Sequence, residues 1–205
     1  MDKLTINSNF KFDVMKSLLA PDKYDFYIVF SRDHTREDAQ ATVSPRDTLN
    51  SIFNTSAPGI KLTYIKKITD AEIFGAIRTN KGPEPTNNYT STTDFPSDYY
   101  YVAYNDIGSE TVDLTHIYFR INIQASNADE FNIVTLIYCN HSTPDLSEDY
   151  TAEGATQPES NPFTAEGVNA RILAQIKPAT QFMTKYDPGN VAPDRIPKLQ
   201  LMIEL

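Results

Sequence analysis

The chain has 205 residues, a length typical of one domain. Asp and Glu number 27 against 18 Lys and Arg, and the resulting net charge of −9 has the wrong sign for a protein that neutralises phosphates over a broad surface. This argues against nonspecific binding to nucleic acid. Hydrophobic residues make up 40% of the chain and include 12 Tyr and 11 Phe, so the composition favours a folded protein over a disordered one.

The number of cysteines and the length of the apolar runs indicate the cellular compartment in which the protein folds. Cys139 is the single cysteine in the sequence, so no intramolecular disulfide is expected, and no apolar segment resembling a signal peptide follows Met1. We therefore expect synthesis and folding in a cytoplasm. The longest apolar run, residues 133–139, is far shorter than the roughly 20 residues of a membrane-spanning helix, so no membrane span is expected.

The first elements in chain order are a short helix and a buried strand. Residues 10–19 carry apolar side chains at helical spacing, and Pro21 ends the predicted helix. Residues 24–30 are β-branched and aromatic on both faces, which indicates a strand inside a packed sheet. The charged residues 31–38 predict a solvated loop. Residues 44–47, Ser-Pro-Arg-Asp, combine helix-start signals and predict a second short helix.

The middle of the chain contains predicted strands and a long loop. Residues 62–68 and 71–78 are each predicted as a strand, although residues 71–77 also fit a helix. Residues 80–98 contain three prolines and predict a long loop. Residues 115–124 alternate apolar with polar side chains, which is typical of a half-buried strand, and residues 131–139 form a more apolar strand. Because their connection is short, the last two strands are predicted to pair antiparallel.

An acidic, proline-bearing stretch and two further elements complete the chain. Residues 140–163 predict a second long loop, residues 168–176 fit an extended or a helical element, and residues 198–205 alternate as a C-terminal strand. The sequence therefore predicts a single, mainly β domain over residues 1–205, with antiparallel sheets in a sandwich-like arrangement. One or two short helices are expected, including one before the first strand.

Patterns that support catalysis or metal binding are weak. No Gly-x-Ser-x-Gly turn and no phosphate-binding glycine loop occur, and Cys139 lies in an apolar strand, where a thiol is usually inert. The three histidines lack the spacing of a zinc site, and the acidic clusters lack the spacing of a calcium loop. We predict no catalytic residues, no metal ligands and no cofactor. A further alternative is a small hydrolase or lyase that uses scattered carboxylates such as Asp70 and Glu72.

A run of tyrosines is the candidate interaction site. Tyrosine combines a large rigid ring with a polar tip and is enriched at protein interfaces and on sugar-binding surfaces. The alternative interpretation is that these are half-buried strand residues, and the sequence leaves both open. The candidate interface residues are Tyr99, Tyr100, Tyr101 and Tyr104.

The order of several segments resembles a known family. Residues 10–15 and 22–32 are similar to the amino-terminal segments of the baseplate wedge subunit family of T4-type contractile phage tails, gene product eight. The resemblance continues in order through four further regions, namely residues 62–71, 117–120 with 132–137, 170–173, and 195–205. The chain departs from the family because it is much shorter and lacks its large central insertion.

The resemblance implies a mainly β, non-enzymatic structural protein of the virion, assembled in the host cytoplasm. It implies a homodimer inside each baseplate wedge that bridges neighbouring wedge proteins, and the family offers no catalytic residues to transfer. The long loops at residues 80–98 and 140–163 are expected to dock on other wedge proteins. The main alternative is a carbohydrate-binding or receptor-binding module that uses the Tyr-rich surface.

Overall fold

The structure is a computed structural model. It describes residues 13–14, 17–18, 23–33, 49, 60–80, 88–89, 95–109, 114–122, 133–140, 150–151, 163, 169–176 and 198–204. The chain divides into two compact units, one formed by residues 1–24, 69–121 and 198–205, the other by residues 25–68 and 122–197. The prediction of a single domain over residues 1–205 stays a prediction.

The described residues are mainly β, as predicted, with ten strands and two short 3-10 turns. The strands in chain order are β1 Asp25–Asp33, β2 Ile60–Ile68, β3 Ile73–Arg78, β4 Asn88–Tyr89, β5 Tyr99–Ala103, β6 His116–Asn122, β7 Ile133–Cys139, β8 Tyr150–Thr151, β9 Ala170–Ile176 and β10 Lys198–Glu204. The turns are Asp70–Glu72 and Tyr104–Ser109. The central strands β1 and β3 each pair antiparallel with both neighbours, which confirms the predicted sheet type.

The first sheet has the strand order β8-β2-β1-β7-β9. Its central strand β1 pairs antiparallel with β2 on one side and with β7 on the other. Because β1 is apolar on both faces and lies in the middle of the sheet, the side chains from Phe26 to Phe30 are all buried. One face of this sheet builds a core from the side chains of Tyr27, Val29, Ile65, Ile137, Cys139 and Phe163.

The end of β1 corrects one sequence prediction. Residues 31–33 were expected to begin a solvated loop, but they continue the strand and pair with β2 as far as Asp33 opposite Ile60. Ser31 and Asp33 are both buried. The reason is that β2 pairs with this strand as far as Asp33 and β7 pairs with it as far as Ser31, and this pairing overrides the local preference of polar residues for loops. A register shift between Phe30 and Ser31 marks the point where the pattern changes.

The second sheet has the strand order β10-β6-β3-β5-β4. Its central strand β3 pairs antiparallel with β5 and with β6. The segment of residues 71–78, for which a strand and a helix were both compatible, therefore forms a strand from Ile73 onwards. One face of this sheet carries a buried cluster of Phe74, Ala76, Phe95, Tyr101 and Tyr118, with Tyr99 and Met202 packed against it.

The predicted pairing of residues 115–124 with residues 131–139 is wrong. Both segments form strands, but β6 pairs with β3 in the second sheet, whereas β7 pairs with β1 and β9 in the first. The alternating face of β6 is also less exposed than predicted, because His116 and Tyr118 are buried. A short connection favours a hairpin only when the two strands find no better partners, and here β6 pairs with β3 and β7 pairs with β1 instead.

Several predictions fall largely outside the described residues and stay predictions. The helix over residues 10–19 and the helix after residues 44–47 are described at a few scattered positions, and the described residues contain no helix of seven or more. The long loops at residues 80–98 and 140–163 are also mostly outside them, although the two-residue strands β4 and β8 lie within these ranges. The sandwich-like arrangement stays a prediction as well.

A short capped turn precedes β3. Thr69 donates its backbone N–H and its hydroxyl to Oε2 of Glu72, at 3.0 and 3.2 Å. In return the Glu72 N–H donates to the Thr69 carbonyl at 2.9 Å. This reciprocal arrangement satisfies backbone groups at the start of the turn, as in a capping box. It also explains why a carboxylate that is 3% exposed is tolerated at this position.

Replacing Glu72 by alanine is expected to lower the free energy of unfolding by about 1 kcal/mol, because Thr69 loses the acceptor for two hydrogen bonds. Asp70→Ala is the matched control, since Asp70 is an exposed acidic residue of the same turn. We expect this control to change stability by less than about 0.5 kcal/mol. Urea unfolding of both variants measures the difference in the free energy of unfolding. Equal losses in the two variants would mean that the negative charge of the turn, and not the hydrogen bonds of the cap, stabilises the fold.

Candidate functional site

The four candidate tyrosines do not share one accessible face. Tyr101 and Tyr104 are buried, with 1% and 3% of their surface exposed, whereas Tyr99 and Tyr100 are half-buried. Within β5, Tyr99 and Tyr101 lie on one face of the sheet and Tyr100 lies on the other, because side chains alternate along a strand. A sugar-binding platform needs exposed rings side by side, so the described geometry does not assemble these four side chains into one.

Tyr101 belongs to a cluster of aromatic rings on one face of the second sheet. The rings of Phe95, Tyr101 and Tyr118 lie with centroids 4.8 to 5.7 Å apart. Phe74 meets Phe95 edge to face at 5.1 Å, and Tyr99 extends the cluster with its centroid 6.3 Å from that of Tyr101. These separations are typical of favourable aromatic pairs. We call Phe74, Phe95, Tyr99, Tyr101 and Tyr118 the aromatic cluster.

The hydroxyl of Tyr101 is satisfied inside this cluster. It donates to the backbone carbonyl of Pro96 at 3.1 Å and so ties residues 95–98 to β5. Burial raises the pKa of the Tyr101 hydroxyl, and the nearby Tyr118 acts in the same direction. The group therefore stays neutral and donates its hydrogen bond well into the alkaline range. The role of Tyr101 is structural in this arrangement.

The raised pKa of Tyr101 predicts a loss of stability at alkaline pH. Because the folded chain holds the Tyr101 proton more tightly than the unfolded chain, this contribution is complete below the unfolded pKa of about 10 and is lost as pH rises above it. We expect the free energy of unfolding to fall more steeply above about pH 10 in the wild type than in Tyr101→Phe. Urea unfolding on both sides of that pH measures it, and parallel decreases would contradict the assignment.

A set of polar side chains, which we call the polar group, borders the aromatic cluster at Tyr99 and consists of Arg78, His116 and Glu204. The sequence analysis did not identify this set. Nε of Arg78 donates to the hydroxyl of Tyr99 at 3.1 Å, and this hydrogen bond raises the pKa of the Arg78 guanidinium. The ring of His116 meets that of Tyr99 edge to face, with centroids 5.3 Å apart. Nε2 of His116 lies 4.0 Å from Oε1 of Glu204. The group joins side chains of β3, β5, β6 and β10.

The chemistry open to this polar group is limited. The 4.0 Å between His116 and Glu204 exceeds a hydrogen bond, and the Glu204 side chain is 70% exposed, so water screens the interaction. Nδ1 of His116 lies 2.6 Å from Oγ1 of Thr115, which fixes the ring. Arg78 is exposed as well. The arrangement holds the buried His116 ring between the Thr115 hydroxyl, which is within hydrogen-bonding reach, and the Glu204 carboxylate, which is beyond it.

Strand register explains why the sequence did not reveal this group. Alternation in residues 115–124 places His116 on the same face as Tyr118, but the neighbours of that face come from β3 and β5. Arg78 stands opposite Tyr99, and Ala76 stands opposite both Tyr101 and His116. These pairings are non-local, so no pattern within one segment contains them.

The other candidates for chemistry have structural surroundings. Cys139 is buried in β7 as part of the first sheet's core, which is the surrounding expected of an inert thiol. Asp70 is exposed and Glu72 is occupied by the capped turn, so they do not converge on a common acid-base site. Within the part of the chain that the structure describes, no three His, Cys, Asp or Glu side chains converge as metal ligands would.

Among the described residues, no helix has the length and apolarity needed to cross a membrane. No protein-family model matches the chain, and no curated protein matches it at a significant level.

Proposed function

We propose that the protein is a non-enzymatic structural subunit of a contractile phage tail baseplate wedge, present in the virion as a homodimer that bridges neighbouring wedge proteins. Assembly takes place in the host cytoplasm. The proposal rests on one observation, the order in which the segments that resemble the baseplate wedge subunit family occur along the chain. It excludes a catalytic role.

The places of those segments in the fold support the proposal. Residues 22–32 overlap the central strand β1, and residues 62–71 overlap β2 and the capped turn. The remaining segments within the described residues overlap β6, β7, β9 and β10. The resemblance therefore lies in the strands that build the two sheets, where a sequence pattern is constrained by pairing and packing. Similarity confined to surface loops would carry less weight.

The experiment is purification of the tagged, full-length protein from the cells that produce it, with a high-salt wash and identification of bound proteins by mass spectrometry. We expect tail sheath, tube and other baseplate proteins at fixed stoichiometry. A glycan-bound protein would favour the carbohydrate-binding alternative, and a protein that emerges alone would contradict the baseplate assignment. Salt removes weak surface ion pairs, so proteins that remain bound are held by packed interfaces.

A further inference from the structure

Beside the polar group, one aromatic ring holds a cation whose donors are accessible. Nε of Arg78 donates to the Tyr99 hydroxyl at 3.1 Å, and the guanidinium carbon lies 5.8 Å from the centroid of the Tyr99 ring. This hydrogen bond uses Nε alone and leaves the terminal Nη groups of the guanidinium as donors. Because Arg78 is exposed, these donors are within reach of a ligand. Tyr99 therefore orients the guanidinium without occupying its terminal groups.

Two carboxylates lie near this cation. Asp98 is exposed, and its backbone carbonyl accepts a hydrogen bond from the Thr79 N–H at 3.0 Å, which places it beside the end of β3. Glu204 belongs to the polar group, and its side chain is 70% exposed. The hydrogen bond with Tyr99 is the main cause that raises the pKa of the Arg78 guanidinium, and the charges of Glu204 and Asp98 act in the same direction. Both carboxylates therefore interact electrostatically with the cation.

The signs of these charges restrict the ligand. An anionic ligand that approaches Arg78 also meets Asp98 and Glu204, and like charges at close range are unfavourable. A cationic ligand that approaches the carboxylates meets Arg78 in the same way. A hydroxyl group avoids both penalties, because it accepts from a guanidinium and donates to a carboxylate. The charges therefore favour an uncharged ligand that is rich in hydroxyl groups.

The Tyr99 ring adds an apolar surface to these polar groups. The ring contacts Tyr101 and His116, with centroids 6.3 and 5.3 Å away, and the Tyr99 side chain remains half-exposed. Because these neighbours hold the ring in place, little conformational freedom is lost when a ligand packs against it. A saccharide has both matching features, namely an apolar C–H face that packs on an aromatic ring and adjacent hydroxyls that bind planar polar groups.

We propose that the second sheet carries a binding site for one unit of a neutral saccharide. The site consists of Arg78, Asp98, Tyr99 and Glu204. It needs one accessible ring and is therefore smaller than a platform of four tyrosines. A contact with one sugar unit is small, so we expect a dissociation constant of about 1–10 mM. The inference goes beyond the proposed function and does not depend on it, because so weak a ligand is lost in a high-salt wash.

Titration of the full chain with methyl glycosides of glucose, galactose, mannose and N-acetylglucosamine, each to about 50 mM, tests the site. The readout is the NMR signal of the Tyr99 ring in tyrosine-labelled protein, assigned by its absence in Tyr99→Phe. We expect at least one glycoside to shift this signal and to saturate the shift. N-acetylneuraminic acid, which is anionic, is expected to bind more weakly than that glycoside. A signal that no glycoside moves, or equal or tighter binding of the anionic sugar, overturns the proposal.

Two variants with the same change in charge complete the test. Arg78→Gln removes the guanidinium from an exposed position, so we expect the fold to be retained and the dissociation constant to rise at least about fivefold. Arg171→Gln is the matched control, because Arg171 is an exposed arginine of the first sheet, and it is expected to leave binding unchanged. An unchanged dissociation constant in Arg78→Gln, or equal weakening in both variants, would overturn the site.

Discussion

Replacing Tyr101 by alanine is expected to lower the free energy of unfolding by about 3–5 kcal/mol, more than any other substitution proposed for this protein. The ring is 1% exposed and contacts Phe95, Tyr118 and Tyr99 within the aromatic cluster. Its removal leaves a cavity in the middle of that face, and the neighbouring rings are held by their own strands, so they cannot close it fully. Urea unfolding monitored by tyrosine fluorescence or circular dichroism measures the loss.

Tyr101→Phe separates the ring from its hydroxyl. This variant keeps the packing and loses the hydrogen bond to the Pro96 carbonyl, so we expect a decrease of about 0.5–1.5 kcal/mol. Pro96 is exposed, and water can take the place of the lost donor. If Tyr101→Ala were no worse than Tyr101→Phe, the cluster would contribute little to stability, and Tyr101 would need another role.

The burial of Tyr101 also shows what the sequence could and could not predict about the candidate site. The strand itself was predictable, because aromatic and β-branched residues at 99–103 favour an extended chain. The burial of Tyr101 was not predictable, because it depends on two residues from other segments. Phe95 comes from a proline-rich stretch, and Tyr118 comes from β6. The interpretation of these tyrosines as strand residues fits Tyr101. An interface role for the four candidate tyrosines stays a prediction.

Strand existence was easier to predict than strand partners. The apolar run in β1 and the alternation in β6 each depend on residues within one segment, and both strands are present. The partners of β6 and β7 depend on competition among all strands of the chain, and the hairpin expected between them does not form. The same competition extends β1 through Asp33, because β2 supplies backbone partners for residues that would otherwise remain solvated.

Gly75 lies in the central strand β3. Adding one carbon atom at this position is expected to have the second largest effect on the free energy of unfolding. A Cβ built at Gly75 would collide with Cδ1 of Leu114 and would also lie 3.5 Å from Cγ1 of Ile107. Leu114 and Ile107 are both buried, so neither side chain can move out into solvent. The absence of a side chain at Gly75 is therefore what allows Leu114 to lie over β3.

Gly75→Ala is expected to lower the free energy of unfolding by about 1–3 kcal/mol, because the buried leucine must leave its rotamer or β3 must shift. Leu114→Val shortens the colliding side chain and is expected to cost about 1 kcal/mol alone through lost burial.

A double-mutant cycle in urea decides between steric collision and a general weakening of the strand. If the collision is the cause, the double variant is less destabilised than the sum of the single variants by about 0.5 kcal/mol or more, since the shorter side chain makes room for the new methyl group. Additive effects would mean that Leu114 is not the obstacle. A Gly75→Ala variant more stable than wild type would show that reduced freedom of the unfolded chain outweighs the contact.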